Sequence, residues 1–251
     1  MPHDCASPSK APPPLDLRAH ALFLDLDGTL VDIAARPEDV VAGENLRTLL
    51  RDLARALGGA MALLTGRTIE SAESILGGAI DSIAGLHGFE TRFHGATHRA
   101  EDDLSPVTAA LVAARAMHQS GVLPARIEDK RAGFALHYRD APEAGPAVRQ
   151  IAEMIAEAHG LTVIEGKMVA ELTLGVRTKG DALAAFMQEA PFRGRTPIAL
   201  GDDVTDEDAF TAARERGGYG VLVGATRISV ATYAVRDSSA VTAWLAAGLR
   251  A

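Results

Sequence analysis

Two aspartates two residues apart, Asp25 and Asp27, follow a short apolar run, Ala21-Leu22-Phe23-Leu24. An extended chain points such residues to the same side, and Gly28 lets the backbone turn tightly beside them. An aspartate with an ordinary pKa of about 3.9 is ionised at neutral pH and can attack without a base, which leaves the second acid to manage protons. A second acidic cluster, Gly201-Asp202-Asp203, follows another apolar run, Ile198-Ala199-Leu200. Carboxylates brought together from two strand ends make a hard, oxygen-lined cation site. Mg²⁺ suits it, since that ion takes one or two carboxylates, keeps several waters and binds phosphate oxygen. Asp25, Asp202 and Asp203 are the side-chain candidates. An anionic phosphate would otherwise repel the attacking carboxylate, and an ammonium would share the work of neutralising it. Lys179, just ahead of a predicted helix, is the candidate ammonium. Thr65, after the run Met61-Ala62-Leu63-Leu64, can donate its hydroxyl to a phosphoryl oxygen. Singly, each motif reads as ordinary loop punctuation; their joint order carries the chemistry.

Positioning these groups requires parallel strands whose ends meet. The run before Asp25 reads as a buried strand, and Leu46, Leu49, Leu50, Leu53 and Leu57 fall at helical spacing over 44–57. Met61 to Leu64 predicts a second strand, Ile69 to Leu76 a short helix, and Asp81 to Ala84 a third strand running into Gly85-Leu86-His87-Gly88. Repeated strand–helix units predict a parallel, doubly wound α/β sheet. From Ser105 the texture changes: a helix over 106–119, the segment 126–130, alternating residues at 134–138, a helix over 147–159, and strands at 161–164 and 168–174. This reads as an α+β insert able to cover the acids. The first texture resumes with a helix over 181–188, strands at 198–200 and 220–223, and a closing helix over 238–249 capped by Ser238 or Ser239. Residues 1–18 read as a disordered tail, 19–104 and 176–251 as a discontinuous catalytic core, and 105–175 as the inserted domain.

The chain has 251 residues, 47% of them hydrophobic, enough for a substantial core in one large domain or two modest ones. A net charge of −8 argues against a general nucleic-acid or membrane-surface binder. Cys5 is the only cysteine, so no intrachain disulfide or thiolate metal cluster is expected. With no secretory signal and no spanning apolar run, a cytoplasmic monomer acting on a small molecule is the expectation.

The motif order resembles the haloacid dehalogenase superfamily of phosphohydrolases: Asp-Leu-Asp-Gly-Thr-Leu at 25–30, Thr65, Lys179 and Gly201-Asp202-Asp203 match its four motifs in turn. The resemblance implies that Asp25 forms an aspartyl-phosphate, that Asp27 protonates the leaving oxygen and then activates water, and that the Asp27 carbonyl joins Asp25 and Asp202 around Mg²⁺. Within the superfamily, Gly-Asp-Asp-Val-Thr-Asp-Glu-Asp-Ala-Phe at 201–210, Thr-Gly-Arg at 65–67, Gly-Leu-His-Gly at 85–88, Glu128-Asp129-Lys130, His137-Tyr138-Arg139 and Gly166-Lys167 with Glu171 look like the trehalose-6-phosphate phosphatase family. That family implies a HAD-like doubly wound core with an inserted C2-type cap domain, and hydrolysis of trehalose 6-phosphate. Glu128, Lys130, Arg139, Lys167 and Glu171 are then the expected sugar-binding groups, with Gly66 and Arg67 also on the substrate side. The family more often has Ser at position 65, where Thr keeps the hydroxyl, and position 178, commonly acidic or Asn, is Thr here. Competing readings are a phosphatase for another sugar phosphate such as sucrose phosphate, a non-catalytic sensor, and a phospho-accepting signalling domain. Retention of both Asp25 and Asp27 speaks against the sensor, and the large insert and Asp27 speak against the signalling domain. His87 stays outside the expected site.

Overall fold

The computed structural model describes residues 7–34, 36–99, 103–130, 132–175 and 177–250. The chain folds as two compact units, one built from the segments up to Arg99 and from Arg177 onward, the other from the segment between them.

The first unit begins with β1 (His20–Leu24), α1 (Glu44–Ala56), β2 (Met61–Leu64), α2 (Ile69–Leu76) and β3 (Ser82–Gly85), close to the sequence expectation. An antiparallel hairpin, β4 (Glu90–Phe93) and β5 (Ala96–Arg99), then extends the sheet. In the second unit lie α3 (Ser105–Gln119), β6 (Arg126–Asp129), β7 (Gly133–His137), α4 (Gly145–His159), β8 (Thr162–Gly166) and β9 (Val169–Thr173). The first unit resumes with α5 (Lys179–Phe186), β10 (Thr196–Gly201), α6 (Glu207–Glu215), β11 (Tyr219–Val223), β12 (Tyr233–Val235) and α7 (Ser238–Gly248). Asp237, rather than either serine, caps α7 by accepting from the Ala240 N–H at 2.8 Å.

The large sheet has eight strands in the order β12-β11-β10-β1-β2-β3-β4-β5. It is parallel from β12 to β3, as expected of a doubly wound core, and gains an antiparallel β4–β5 edge. Central β1 is fully buried beyond His20, as a strand covered on both faces must be. Its Leu24 aligns with Leu200 of β10 and Leu63 of β2, so the residues that follow these three strands leave along one edge. Phe23 packs on Phe192 and Phe186, and Phe186 meets Phe93 edge-on with ring centroids 5.5 Å apart. These rings fasten α5 to the sheet, and burying each phenyl contributes about 1.5–3 kcal/mol. Residues 7–18, expected to be disordered, instead lie on the unit: Leu15 is buried, the Lys10 carbonyl accepts from Ala234 N–H, and Trp244 Nε1 donates to the Pro13 carbonyl.

The second unit is a four-stranded antiparallel sheet, β6-β7-β9-β8, with α3 and α4 on one face. Phe134, Leu136, Ala170 and Leu172 pack against Val107, Leu111, Val148 and Ile155 of the helices. The strands alternate, so Glu128, Ala135 and Glu171, which pair across β6, β7 and β9, occupy the opposite face. No helix among the described residues is long and apolar enough to cross a membrane.

Candidate active site

Asp25, Thr65 and Asp202 each stand just beyond the end of a strand, on β1, β2 and β10, which are neighbours in the sheet. Lys179 opens α5, whose N-terminus is fixed by a reciprocal cap between Thr178 and Asp181. The Thr at position 178 therefore does hold the helix start: its Oγ1 accepts from Asp181 N–H at 3.1 Å. From there Lys179 Nζ donates to Asp25 Oδ1 and to Asp206 Oδ1, both at 2.7 Å. All four charged groups, Asp25, Asp202, Asp206 and Lys179, are buried.

Burial pushes the Asp25 carboxyl well above the usual carboxylate range, Lys179 opposes the shift, and the charges of Asp206 and Asp202 add to it. For Lys179 burial disfavours the ammonium, but Asp206 and Asp25 outweigh that and raise its pKa, so the side chain is a permanent cation. One oxygen from each of Asp25, Asp202 and Asp206 lies within 4.8 Å of the others. With all three carboxylates ionised, one ammonium leaves two negative charges, and hard oxygens at this spacing fit a divalent cation. Gly28, at φ +83°, makes the close approach possible: a Cβ there would lie 2.3 Å from Asp202 Oδ2.

Asp203 does not join this group. Its Oδ1 accepts from its neighbour Val204 N–H at 2.8 Å, capping a single turn of 3₁₀ helix, and that turn brings Asp206 back to Lys179 instead. Asp206 also accepts from Asp203 N–H at 3.0 Å through Oδ2. The sequence alone gives Asp206 no role, since its place depends on this turn and on Lys179. Glu207 of the same acidic stretch is a brace. Glu207 Oε2 accepts from Ser229 Oγ and Val230 N–H, and Glu207 Oε1 pairs with Arg227. Arg227 in turn donates to the Asp203 carbonyl at 2.8 Å, so a loop more than twenty residues downstream braces the turn.

Thr65 is buried, and its Oγ1 accepts from Arg67 N–H at 3.1 Å. Gly66 lies against the His87 imidazole, where a Cβ would come 2.9 Å from Nε2. His87 N–H and Leu86 N–H donate to the carbonyls of Thr65 and Arg67, so the segment after β3 supports this turn. Buried Glu90 of β4 accepts from Ile69 N–H at 2.6 Å and charges the start of α2, a support the sequence reading did not identify. The Arg67 side chain does not reach toward open space. Its Nε and Nη2 donate to Asp27 Oδ2 and Oδ1 at 2.6 and 2.8 Å.

In the second unit, Lys130 Nζ donates to Glu171 Oε2 at 2.8 Å, and Glu128 Oε2 lies 2.7 Å from His137 Nε2. Burial tends to raise the Glu128 pKa, but the His137 hydrogen bond and Lys130 outweigh it and the net shift is downward. This contact gives His137 a partner that the His-Tyr-Arg motif does not itself indicate. Arg139 Nη2 is 3.4 Å from the carbonyl of exposed Lys167, on the turn between β8 and β9.

The trehalose-phosphatase family profile matches residues 23–240. A probable trehalose-phosphate phosphatase of Sinorhizobium fredii is 44% identical over 214 residues, covering 83% of this chain and 79% of that one. The trehalose-6-phosphate phosphatase of Escherichia coli K12 is 38% identical over 229 residues, covering 90% and 85%. Among solved structures, a trehalose-6-phosphate phosphatase related protein superposes with a TM-score of 0.75 at 27% identity, over 90% of this chain and 95% of that one. A HAD-type phosphatase site of carboxylates and lysine, on a HAD-like core carrying an inserted domain, thus comes with sequence kinship across most of the chain, and the protein belongs to the trehalose-phosphatase family of the haloacid dehalogenase superfamily.

Proposed function

We propose that this protein hydrolyses trehalose 6-phosphate to trehalose and phosphate, the last step of a trehalose biosynthesis route, and that it does so with Mg²⁺ through an aspartyl-phosphate on Asp25. The observation that carries the reading is the buried Asp25–Lys179–Asp206 chain beside Asp202. It supports the reading with a buried carboxylate, a cation held against it, and oxygens at a spacing that fits a divalent cation.

In this reading a carboxylate oxygen of Asp25 bonds to phosphorus as the bond from phosphorus to the sugar oxygen breaks, and Asp27 gives that oxygen a proton. A water oxygen then bonds to phosphorus, its proton passes to Asp27, and the bond from phosphorus to Asp25 breaks. Lys179 keeps the Asp25 oxygen aimed and neutralises charge that builds on the phosphoryl group. Thr65 Oγ1, with the N–H of Gly66, donates to a phosphoryl oxygen. Asp25 and Asp202, with the Asp27 carbonyl, would hold Mg²⁺, which when bound polarises the phosphoryl oxygens and offsets the repulsion between two anions. Asp206 is the third carboxylate of the cluster, and its bond to Lys179 gives it the task of fixing that cation.

The sugar is assigned to Glu128, Lys130, Arg139, Lys167 and Glu171. Paired acids and bases of this kind can accept from and donate to many hydroxyls with directional hydrogen bonds. The names of the relatives support trehalose 6-phosphate over other esters. Phosphate release from trehalose 6-phosphate by the wild type, beside Asp25→Asn, tests the reaction. Turnover should vanish in the variant while its circular dichroism and Tm stay near those of the wild type; undiminished turnover would remove Asp25 as the nucleophile.

A further inference from the structure

The expected role of Arg67 is to contact substrate, yet its guanidinium is fully committed elsewhere. Its Nε and Nη2 form a two-pronged fork on Asp27, at 2.6 and 2.8 Å. Its Nη1 donates to the Pro37 carbonyl at 2.9 Å and lies 3.3 Å from Ser71 Oγ. The side chain is 11% exposed against 33% for Asp27. The base of the same residue is tied down as well, since Arg67 N–H donates to Thr65 Oγ1 and its carbonyl accepts from Leu86 N–H. A planar fork anchored at its third nitrogen fixes both the rotation and the tilt of a carboxylate, which a single ammonium does not.

We infer that Arg67 is a positioning residue for Asp27 and not a group that grips substrate. The anchors on Pro37 and Ser71 keep the guanidinium in place when one Asp27 oxygen turns to give or take a proton, so the other oxygen remains seated and the carboxyl returns to one orientation between the two steps. The inference rests on the reading of Asp27 as the proton-handling group. It also ties the turn that carries Thr65 to the turn that carries Asp27, so the phosphoryl oxygen contact and the leaving oxygen contact are set by one residue.

Aryl phosphates of graded leaving-group pKa test this without involving any sugar contact. A good leaving group departs without a proton, whereas a poor one needs it, and general acid catalysis contributes typically 10²–10⁴-fold. In Arg67→Lys and Arg67→Gln, kcat/KM should fall about 100-fold for the poorest leaving group and change little for the best, making the dependence on leaving-group pKa steeper. Competitive inhibition by inorganic phosphate should be unchanged, and so should trehalose 6-phosphate binding measured on an Asp25→Asn background. A parallel fall for every leaving group, or weaker phosphate binding, would overturn the inference in favour of a structural or gripping role. Inactivity of the wild type on every ester would instead sink the reading of the site itself, so the two failures are distinguishable.

Discussion

Asp206→Asn perturbs the site at the residue that structure, not sequence, placed there. The aspartate uses both oxygens: Oδ1 takes one of the two Lys179 bonds at 2.7 Å, and Oδ2 accepts from Asp203 N–H at 3.0 Å. An asparagine has one acceptor, so it can keep the lysine or the amide but not both, and its NH₂ would then face a donor. Lys179 keeps Asp25, so the cation is not stranded. The loss is one buried bond to a charged group, about 2–3 kcal/mol, which in a chain of this size lowers Tm by about 4–12 °C. The released Lys179 is free to shift by a rotamer, and misplacing one electrostatic donor lowers kcat by about 100-fold. One opposing effect is built in: Asp206 is among the groups that raise the Asp25 pKa, so its neutralisation favours the ionised nucleophile. Differential scanning fluorimetry and initial rates at saturating substrate give the two numbers. An unchanged Tm together with an unchanged kcat would refute the assignment of Asp206 as the residue that fixes Lys179.

Lys179→Met leaves three buried carboxylates within 4.8 Å of one another with no counter-charge, a loss of about 3–5 kcal/mol. In the wild type the raised pKa of Lys179 means its contribution is present at all pH values below its ordinary 10.5 and is lost only on the alkaline side, while the raised pKa of Asp25 makes stability fall as pH rises past 3.8. Without the lysine only the second trend remains and it grows, so urea unfolding should show stability climbing more steeply for the variant than for the wild type as pH drops from neutral toward the carboxylate range; equal slopes would contradict the pairing. Gly28→Ala puts a Cβ 2.3 Å from Asp202 Oδ2 at φ +83°, and should abolish the Tm increase on adding Mg²⁺ while lowering kcat/KM by about 100-fold. A full Mg²⁺ shift in that variant would remove Asp202 from the cation site.

The groups that the sequence made legible share one property: each follows its own apolar run. Asp25, Thr65 and Asp202 could be placed on one sheet edge because buried parallel strands read as short hydrophobic segments, and the helix carrying Lys179 was found, although it begins two residues earlier than expected because Thr178 caps it. Asp206 was not legible because its role depends on a 3₁₀ turn and on a lysine 27 positions away. Glu90 and Arg227 act through contacts of the same long-range kind. The β4–β5 hairpin is an edge whose Thr91, Arg92 and His98 give no apolar alternation, so no local pattern announced it. The segment 7–18 looked disordered from its prolines, yet Leu15 and the Pro13 carbonyl find partners on α7 that composition does not encode. In the insert, β6 is almost entirely polar, since its one strongly apolar residue, Ile127, faces the helices while Glu128 stands on the other side.

The most direct test of the central claim compares phosphate release from trehalose 6-phosphate, sucrose 6-phosphate and glucose 6-phosphate, with Mg²⁺ and with excess chelator, beside Asp25→Asn. The expected result is a kcat/KM for trehalose 6-phosphate far above the other two, lost in chelator and lost in the variant. A preference for another sugar would contradict the assignment made to Glu128, Lys130, Arg139, Lys167 and Glu171, and release that survives both chelation and Asp25→Asn would contradict the mechanism.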